Sequence, residues 1–259
     1  MKWILIVVTS ASILSLGFIA KNKTVAKSKT TKTVSMIGSY GPVAVLELFT
    51  SEGCSSCPSA DRLLPELAKL DAGVFPLSFH VDYWNRLGWT DPFSNSEYSE
   101  RQRNYSRQLN LESVYTPQLV VNGEYELVGS NRGKAESVIK TALKEKATVQ
   151  LSIDNVKINA DKITFLVHAE GDIKKNNLLA ALVQKQATMN VKAGENSGAK
   201  LSHTNVVRSF SQQRAADKNQ FELDLPGTLP NLKWQLIVYS QHKNDLKITG
   251  AVLYNPAEK

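Results

Sequence analysis

The chain's only two cysteines close the stretch Val45-Leu46-Glu47-Leu48-Phe49-Thr50-Ser51-Glu52-Gly53-Cys54-Ser55-Ser56-Cys57-Pro58, and no other segment restricts the fold as much. Val45 to Phe49 reads as a buried strand, Ser51 to Gly53 as a short turn, and Cys54 falls where a helix should begin. The thiolate is the nucleophilic form of cysteine, and a free thiol of pKa about 8.5 is mostly protonated at neutral pH. A helix N-terminus stabilises the anion through its unpaired N–H groups and the positive end of its dipole. A second cysteine three residues on lies one turn away on the same face. The pattern predicts Cys54 as the exposed attacking thiol and Cys57 as the more buried resolving thiol. Cys57 would close the intramolecular bond after a mixed disulfide has formed on Cys54.

Two inert roles compete with that reading. A structural zinc site usually needs four Cys or His ligands, and only His80, His168, His203 and His242 are available to complete one; no two of them stand in CxxC-like spacing. A structural disulfide across two residues closes so short a loop that it constrains the unfolded chain little. Redox chemistry is therefore favoured, with no metal and no cofactor called for.

The 259 residues, 42% of them hydrophobic, are enough for two domains, each with its own core. The net charge of +7 suggests an acidic partner until it is located. Six lysines and no acids lie in residues 1–33, which leaves 25 basic against 24 acidic residues, or +1, for the remainder. Bulk charge thus offers no case for nucleic-acid binding. Residues 1–20, one lysine followed by an apolar run from Trp3 to Ala20, read as an export signal. An uncleaved membrane anchor is the alternative, since about 18 apolar residues just span a bilayer. Five lysines after the run oppose that orientation and favour cleavage. Residues 21–40 have few large apolar side chains and read as a disordered tether. Outside the reducing cytosol, a thiol pair can persist as a disulfide.

Along the chain, Leu63, Leu64, Leu67 and Leu70 predict a helix interrupted by Pro65, and Val74 to Val81 predicts the next buried strand. A connecting helix is expected within Asp91 to Leu109. Pro117 to Val121 reads as a strand, and Asn122-Gly123 before Tyr125 to Val128 reads as a hairpin. Gly133 to Lys146 is the last expected helix. After Ala147 the pattern changes to alternation, with strands at 148–153, 162–167, 178–183, 221–225, 233–239 and 246–253, and Asn205 to Arg208 beginning or continuing another. This predicts an antiparallel β-sandwich of roughly seven strands over residues 148–259.

The order of elements in residues 41–147, with CxxC at the head of the first helix, resembles the thioredoxin fold. That resemblance implies a cis proline facing the cysteines and offering backbone to a substrate strand, and Thr116-Pro117 matches its position. It also implies a buried acid under the pair, for which Glu47 is the candidate proton relay. An outward-facing strand glutamate is the alternative for Glu47. The phrases Leu-Phe-Thr-Ser-Glu-Gly-Cys-Ser-Ser-Cys-Pro (48–58), His-Val-Asp-Tyr-Trp (80–84) with Gly-Trp-Thr-Asp-Pro-Phe (88–93), and Tyr-Thr-Pro-Gln-Leu-Val-Val-Asn-Gly (115–123) together resemble DUF1223, a family of secreted, thioredoxin-like proteins of unknown function.

The aromatic run Tyr83, Trp84, Trp89 and Phe93 is expected either to wall the cysteines, with Trp84 and Trp89 as docking surface, or to plug the gap between the two domains. The reading that results is an exported thiol-disulfide oxidoreductase. It acts on a protein or small-thiol substrate, with Cys54, Cys57 and Glu47 catalytic and Thr116, Pro117, Trp84 and Trp89 binding substrate. The alternative is a cell-envelope binding module stapled by the same bond. Copper handling through the two thiolates and His80 is weaker, because the three methionines do not cluster.

Overall fold

The computed structural model describes residues 36–37, 41–227, 229 and 233–256. The expected signal segment lies outside them. Of the expected tether, Met36–Ile37 forms a short strand, β1, so ordered pairing begins earlier than composition suggested.

Strand β2, Ala44–Thr50, is buried along its whole length. A strand covered on both faces reads as a nearly continuous apolar run, which is how it stood out in the sequence. β2 pairs in parallel with β3, Val74–His80, and antiparallel with β4, Gln118–Val121, which continues into β5, Tyr125–Val128. Helix α1, Cys57–Leu67, connects β2 to β3 and has Pro65 inside it. The proline lacks an N–H and so cannot bond the Asp61 carbonyl. Helix α2, Ser96–Gln108, starts later than expected because the Asn95 side chain caps it, accepting from Glu97 N at 2.9 Å. Helix α3, Arg132–Ala142, is capped in the same way by Asn131.

Seven strands follow: β6 Val149–Asn159, β7 Lys162–Gly171, β8 Asn176–Asn190, β9 Lys200–Arg214, β10 Lys218–Asp224, β11 Trp234–His242 and β12 Ile248–Tyr254. They do not form a separate sandwich. Four of them continue the first half's sheet into one mixed eight-stranded sheet of order β12-β11-β8-β9-β3-β2-β4-β5. The seam is the parallel contact of β3 with β9 at Ser78 and Val206, reinforced by Ser78 Oγ donating to Thr204 O at 2.8 Å and Asn205 Nδ2 donating to Pro76 O at 2.9 Å. The protein is thus mostly β, with few helices. The domain boundary expected after Ala147 falls between α3 and β6, while the sheet runs through both halves.

Strand alternation sorts the side chains of this sheet into three cores. Ala44, Leu46 and Leu48 pack on Ala60, Leu63, Leu64 and Leu67 of α1 and on Ala135 and Ile139 of α3. Val45 and Phe49 point the other way, into a core with Phe79, Tyr98 and Tyr105 that extends across the seam to Leu179, Val207 and Tyr239. The second sheet, β1-β6-β7-β10, covers β8, β11 and β12 on the α1 side, with Phe165 stacked on Phe221 at 5.5 Å.

Candidate functional site

Cys54 and Cys57 are joined in a disulfide across the turn that opens α1, with a Cα separation of 5.5 Å. Successive turns, Cys54 N to Ser51 O and Cys57 N to Cys54 O, both at 3.2 Å, deliver the chain from β2 to the helix. Gly53 lets the turn pass close to Trp84, since a Cβ there would lie 3.0 Å from Trp84 Cβ. Both cysteines are fully buried, and only Ser55 and Ser56 between them are exposed. This corrects the expectation of an exposed Cys54.

Three of the expected binding residues do gather at the pair. The Thr116-Pro117 peptide is cis. Ser56 Oγ lies 3.3 Å from Cys54 Sγ and donates to the Thr116 carbonyl at 3.3 Å. Trp84 Nε1 donates to Thr116 Oγ1 at 2.8 Å, which fixes the indole beside the CxxC turn. The Pro117 carbonyl is already occupied by Gly129 N at 2.9 Å.

Trp89 takes a different place. Its Nε1 donates to Glu52 Oε2 at 2.8 Å, on the side where the two halves meet. Phe93 packs edge-on against His80 and His203, at 5.3 and 6.0 Å between ring centroids. The aromatic segment is thus divided between two places: Trp84 flanks the cysteine turn, while Phe93 packs against His80 and His203 at the seam.

Glu47 is not placed under the cysteines. It shares the face of Val45 and Phe49, opposite the one on which α1 packs. There its carboxylate takes both the Nε and an Nη of Arg101, at 2.6 and 2.7 Å, and the Tyr105 hydroxyl at 2.8 Å. Arg101 also lies over the rings of Tyr105, Phe210 and Tyr239 and contacts Gln241. Residue parity explains the difference: one step along a strand turns a side chain to the other face.

The acids that do stand on the α1 side are Glu52, two residues before Cys54, and Asp61, four after Cys57. His203 of β9 lies between them, with Nε2 3.2 Å from Glu52 Oε1 and Nδ1 3.2 Å from Asp61 Oδ2, the latter without hydrogen-bond alignment. All three side chains are buried or nearly so. Thr50 Oγ1 donates to Asp61 Oδ1 at 2.9 Å. Burial opposes a charged imidazole, but the close contact with Asp61, the hydrogen bond with Glu52 and the attraction of both acids outweigh it and raise His203 to about 9. Asp91 completes the cluster by accepting from Glu52 N at 2.9 Å and meeting His80 Nδ1 at 2.7 Å. Burial would raise this carboxyl, yet the neighbouring His80 and hydrogen bonds from His80, Glu52 and Phe93 hold it below its ordinary value.

The second half also covers the cysteine turn from outside. Asn196 Nδ2 donates to the carbonyls of Glu52 and Cys54 at 2.8 and 2.9 Å, and Glu195 Oε2 accepts from Ser55 N at 2.9 Å. Hydrogen bonds from the Ser55 backbone and side chain hold the Glu195 carboxyl below its usual range. Sequence reasoning missed Asp61, His203, Glu195 and Asn196. Asp61 carried a signal, as a polar residue one turn beyond Cys57 on the apolar face of α1, but the other three lie about 140 residues away with no local motif.

A mostly β chain with a disulfide at a helix start, closed over by its own second half, defines the class. The chain belongs to DUF1223, a family described as protein of unknown function, whose model matches residues 45–241. It is similar to the crystal structure of a structural-genomics target protein from Agrobacterium tumefaciens, 29% identical, covering 85% of this chain and 96% of that one at a TM-score of 0.64. HBP35 of Porphyromonas gingivalis, 18% identical, covers 84% of this chain and 76% of that one at a TM-score of 0.61, a likeness of fold alone. No curated protein matches.

Proposed function

We propose that the protein is an exported thiol-disulfide oxidoreductase whose first half is thioredoxin-like. The observation that carries this reading is the Cys54–Cys57 disulfide at the start of α1, flanked by the cis Thr116-Pro117 peptide and Trp84. In the reducing direction of attack, a substrate thiolate adds to Cys54 Sγ, the Cys54–Cys57 bond breaks, and Cys57 leaves as a thiolate. Run in reverse, Cys57 displaces the substrate sulfur from Cys54 and regenerates the intramolecular bond. The electrons travel in the sulfur bonds, so the step asks for no further cofactor. Substrate is a protein or small-molecule thiol or disulfide, docked beside Thr116, Pro117 and Trp84. Proton exchange with the resolving thiol is assigned to Asp61, one helical turn from Cys57, with His203 and Glu52 holding it in place.

One observation favours a second reading, a binding module in which the bond is only a staple: both sulfurs are buried. Equilibration of the pair in glutathione buffers, with thiol labelling, separates the two. A potential between about −270 and −120 mV supports the catalyst and sets its direction. A potential below about −300 mV with an ordinary Cys54 thiol pKa assigns the staple and overturns the enzyme.

A further inference from the structure

The loop between β8 and β9, residues 191–199, belongs to the second half yet makes its polar contacts on the cysteine turn. It is a compact bend closed by Val191 N to Ala199 O and Gly198 N to Val191 O, both 2.9 Å, with Gly194 and Gly198 at positive φ of 75° and 83°. An added Cβ on Gly194 would sit 3.4 Å from Trp89 Cβ, so the bend rests on the Trp89 side chain that Glu52 anchors. From its tip, Asn196 spans the carbonyls on either side of Gly53, and Glu195 takes the amide of Ser55. The Cys54 carbonyl and the Ser55 amide are the two ends of the peptide that follows Cys54.

We propose that this loop is a strap that keeps the oxidised pair closed, and that a thiol partner must displace Asn196 and Glu195 before it reaches Cys54. The proposal rests on the redox reading of the site and adds a control to it. Disulfide exchange needs the attacking sulfur to approach Cys54 Sγ along the S–S axis, and a fully buried sulfur offers no such path until something moves. Asn196 holds the turn through two carbonyls, so its release frees the backbone around Cys54. Glu195 adds an electrostatic effect. Its carboxylate accepts from the Ser55 amide, the first after Cys54, and sets a negative charge beside the cysteine turn, which disfavours a thiolate there while the strap is shut. Opening the strap therefore both exposes Cys54 and strengthens it as a nucleophile and leaving group. Glu195 and Asn196 are positioning residues, since neither touches a sulfur.

The test is the rate at which dithiothreitol reduces the oxidised full-length chain. One reagent thiolate bonds to Cys54 Sγ as Cys57 leaves. The reagent's second thiol then displaces Cys54, giving cyclic oxidised dithiothreitol and a dithiol protein that has gained two electrons. Asn196→Ala, which removes two hydrogen bonds, is expected to be reduced roughly tenfold faster than wild type. Glu195→Gln keeps an acceptor but no charge; it should accelerate reduction by a few-fold and lower the pH at which the Cys54 thiol titrates in the reduced protein, a shift that a merely structural contact would not produce. Because Glu195 is an exposed loop residue, this variant tests the strap even if Asn196→Ala does not fold. Rates within about twofold of wild type for both variants, with an unchanged Cys54 titration, overturn the strap. If wild type also exchanges with protein thiols in that case, the redox reading stands and only the strap fails. Faster reduction of the variants with a potential below about −300 mV would instead keep the strap and sink the oxidoreductase.

Discussion

His203 should make the oxidised protein's stability fall with alkaline pH by an amount the structure specifies. Its imidazole lies between Glu52 and Asp61, beside His80 and Phe93, and ionises at about 9 rather than 6.5. A group whose folded pKa exceeds its unfolded value binds its proton more tightly in the native state. The stabilisation is therefore complete below pH 6.5 and is lost as pH rises through 9. The span of about 2.5 pH units, at about 1.36 kcal/mol each, corresponds to roughly 3 kcal/mol. Urea unfolding of oxidised wild type and His203→Gln from pH 6 to pH 10 measures it, because the bonded cysteines do not titrate. The stability gap between the two proteins should shrink by about 3 kcal/mol across that range. The variant also leaves Glu52 and Asp61 buried without a partner between them, which lowers its stability, so the readout is the change of the gap with pH and not its size. A gap that stays constant to within about 0.5 kcal/mol would show that His203 is neutral in the fold and that the cluster holds no extra proton.

Two further perturbations separate packing from chemistry. Glu47→Ala strands the Arg101 guanidinium among Tyr105, Phe210 and Tyr239 and should cost about 3–5 kcal/mol in urea unfolding, while leaving the Cys54–Cys57 potential unchanged; a shift of potential with little loss of stability would return Glu47 to the redox site. Gly250→Ala places a Cβ 2.0 Å from the Val149 carbonyl, where β12 of the eight-stranded sheet crosses β6 of the other, so the melting temperature should drop by several degrees, and an unchanged value would mean that the two sheets are not in the contact described.

The first half was legible because its signals are local. The buried run of β2, the turn, the Asn122-Gly123 bend with φ of 50° and 71°, and the helix after it are each written within a few residues. The strands of the second half were legible too, by alternation. The pairing of β3 with β9 was not, because one short parallel contact between residues 128 apart leaves no periodic trace. Glu47 illustrates a second limit. A glutamate in an apolar strand announces burial with a partner, but its facing depends on a single residue of register. Its cation, Arg101, stood in a stretch read only as a polar connecting helix.

The seam has a consequence for chemistry that neither half carries alone. Thr50, Glu52 and Asp61 come from the β2–α1 unit, Asp91 and His80 from its neighbour, and His203, Glu195 and Asn196 from β9 and the loop before it. A first half without β9 would leave the buried carboxyl groups of Glu52 and Asp61 without the His203 imidazole between them. It would also uncover the cysteine turn. The second half thus supplies a cation behind the disulfide and a cover in front of it, through residues only seven apart in sequence from Asn196 to His203. The loop and the imidazole thus belong to one continuous segment of chain, anchored between them by the pairing of Lys200 to His203 with β8.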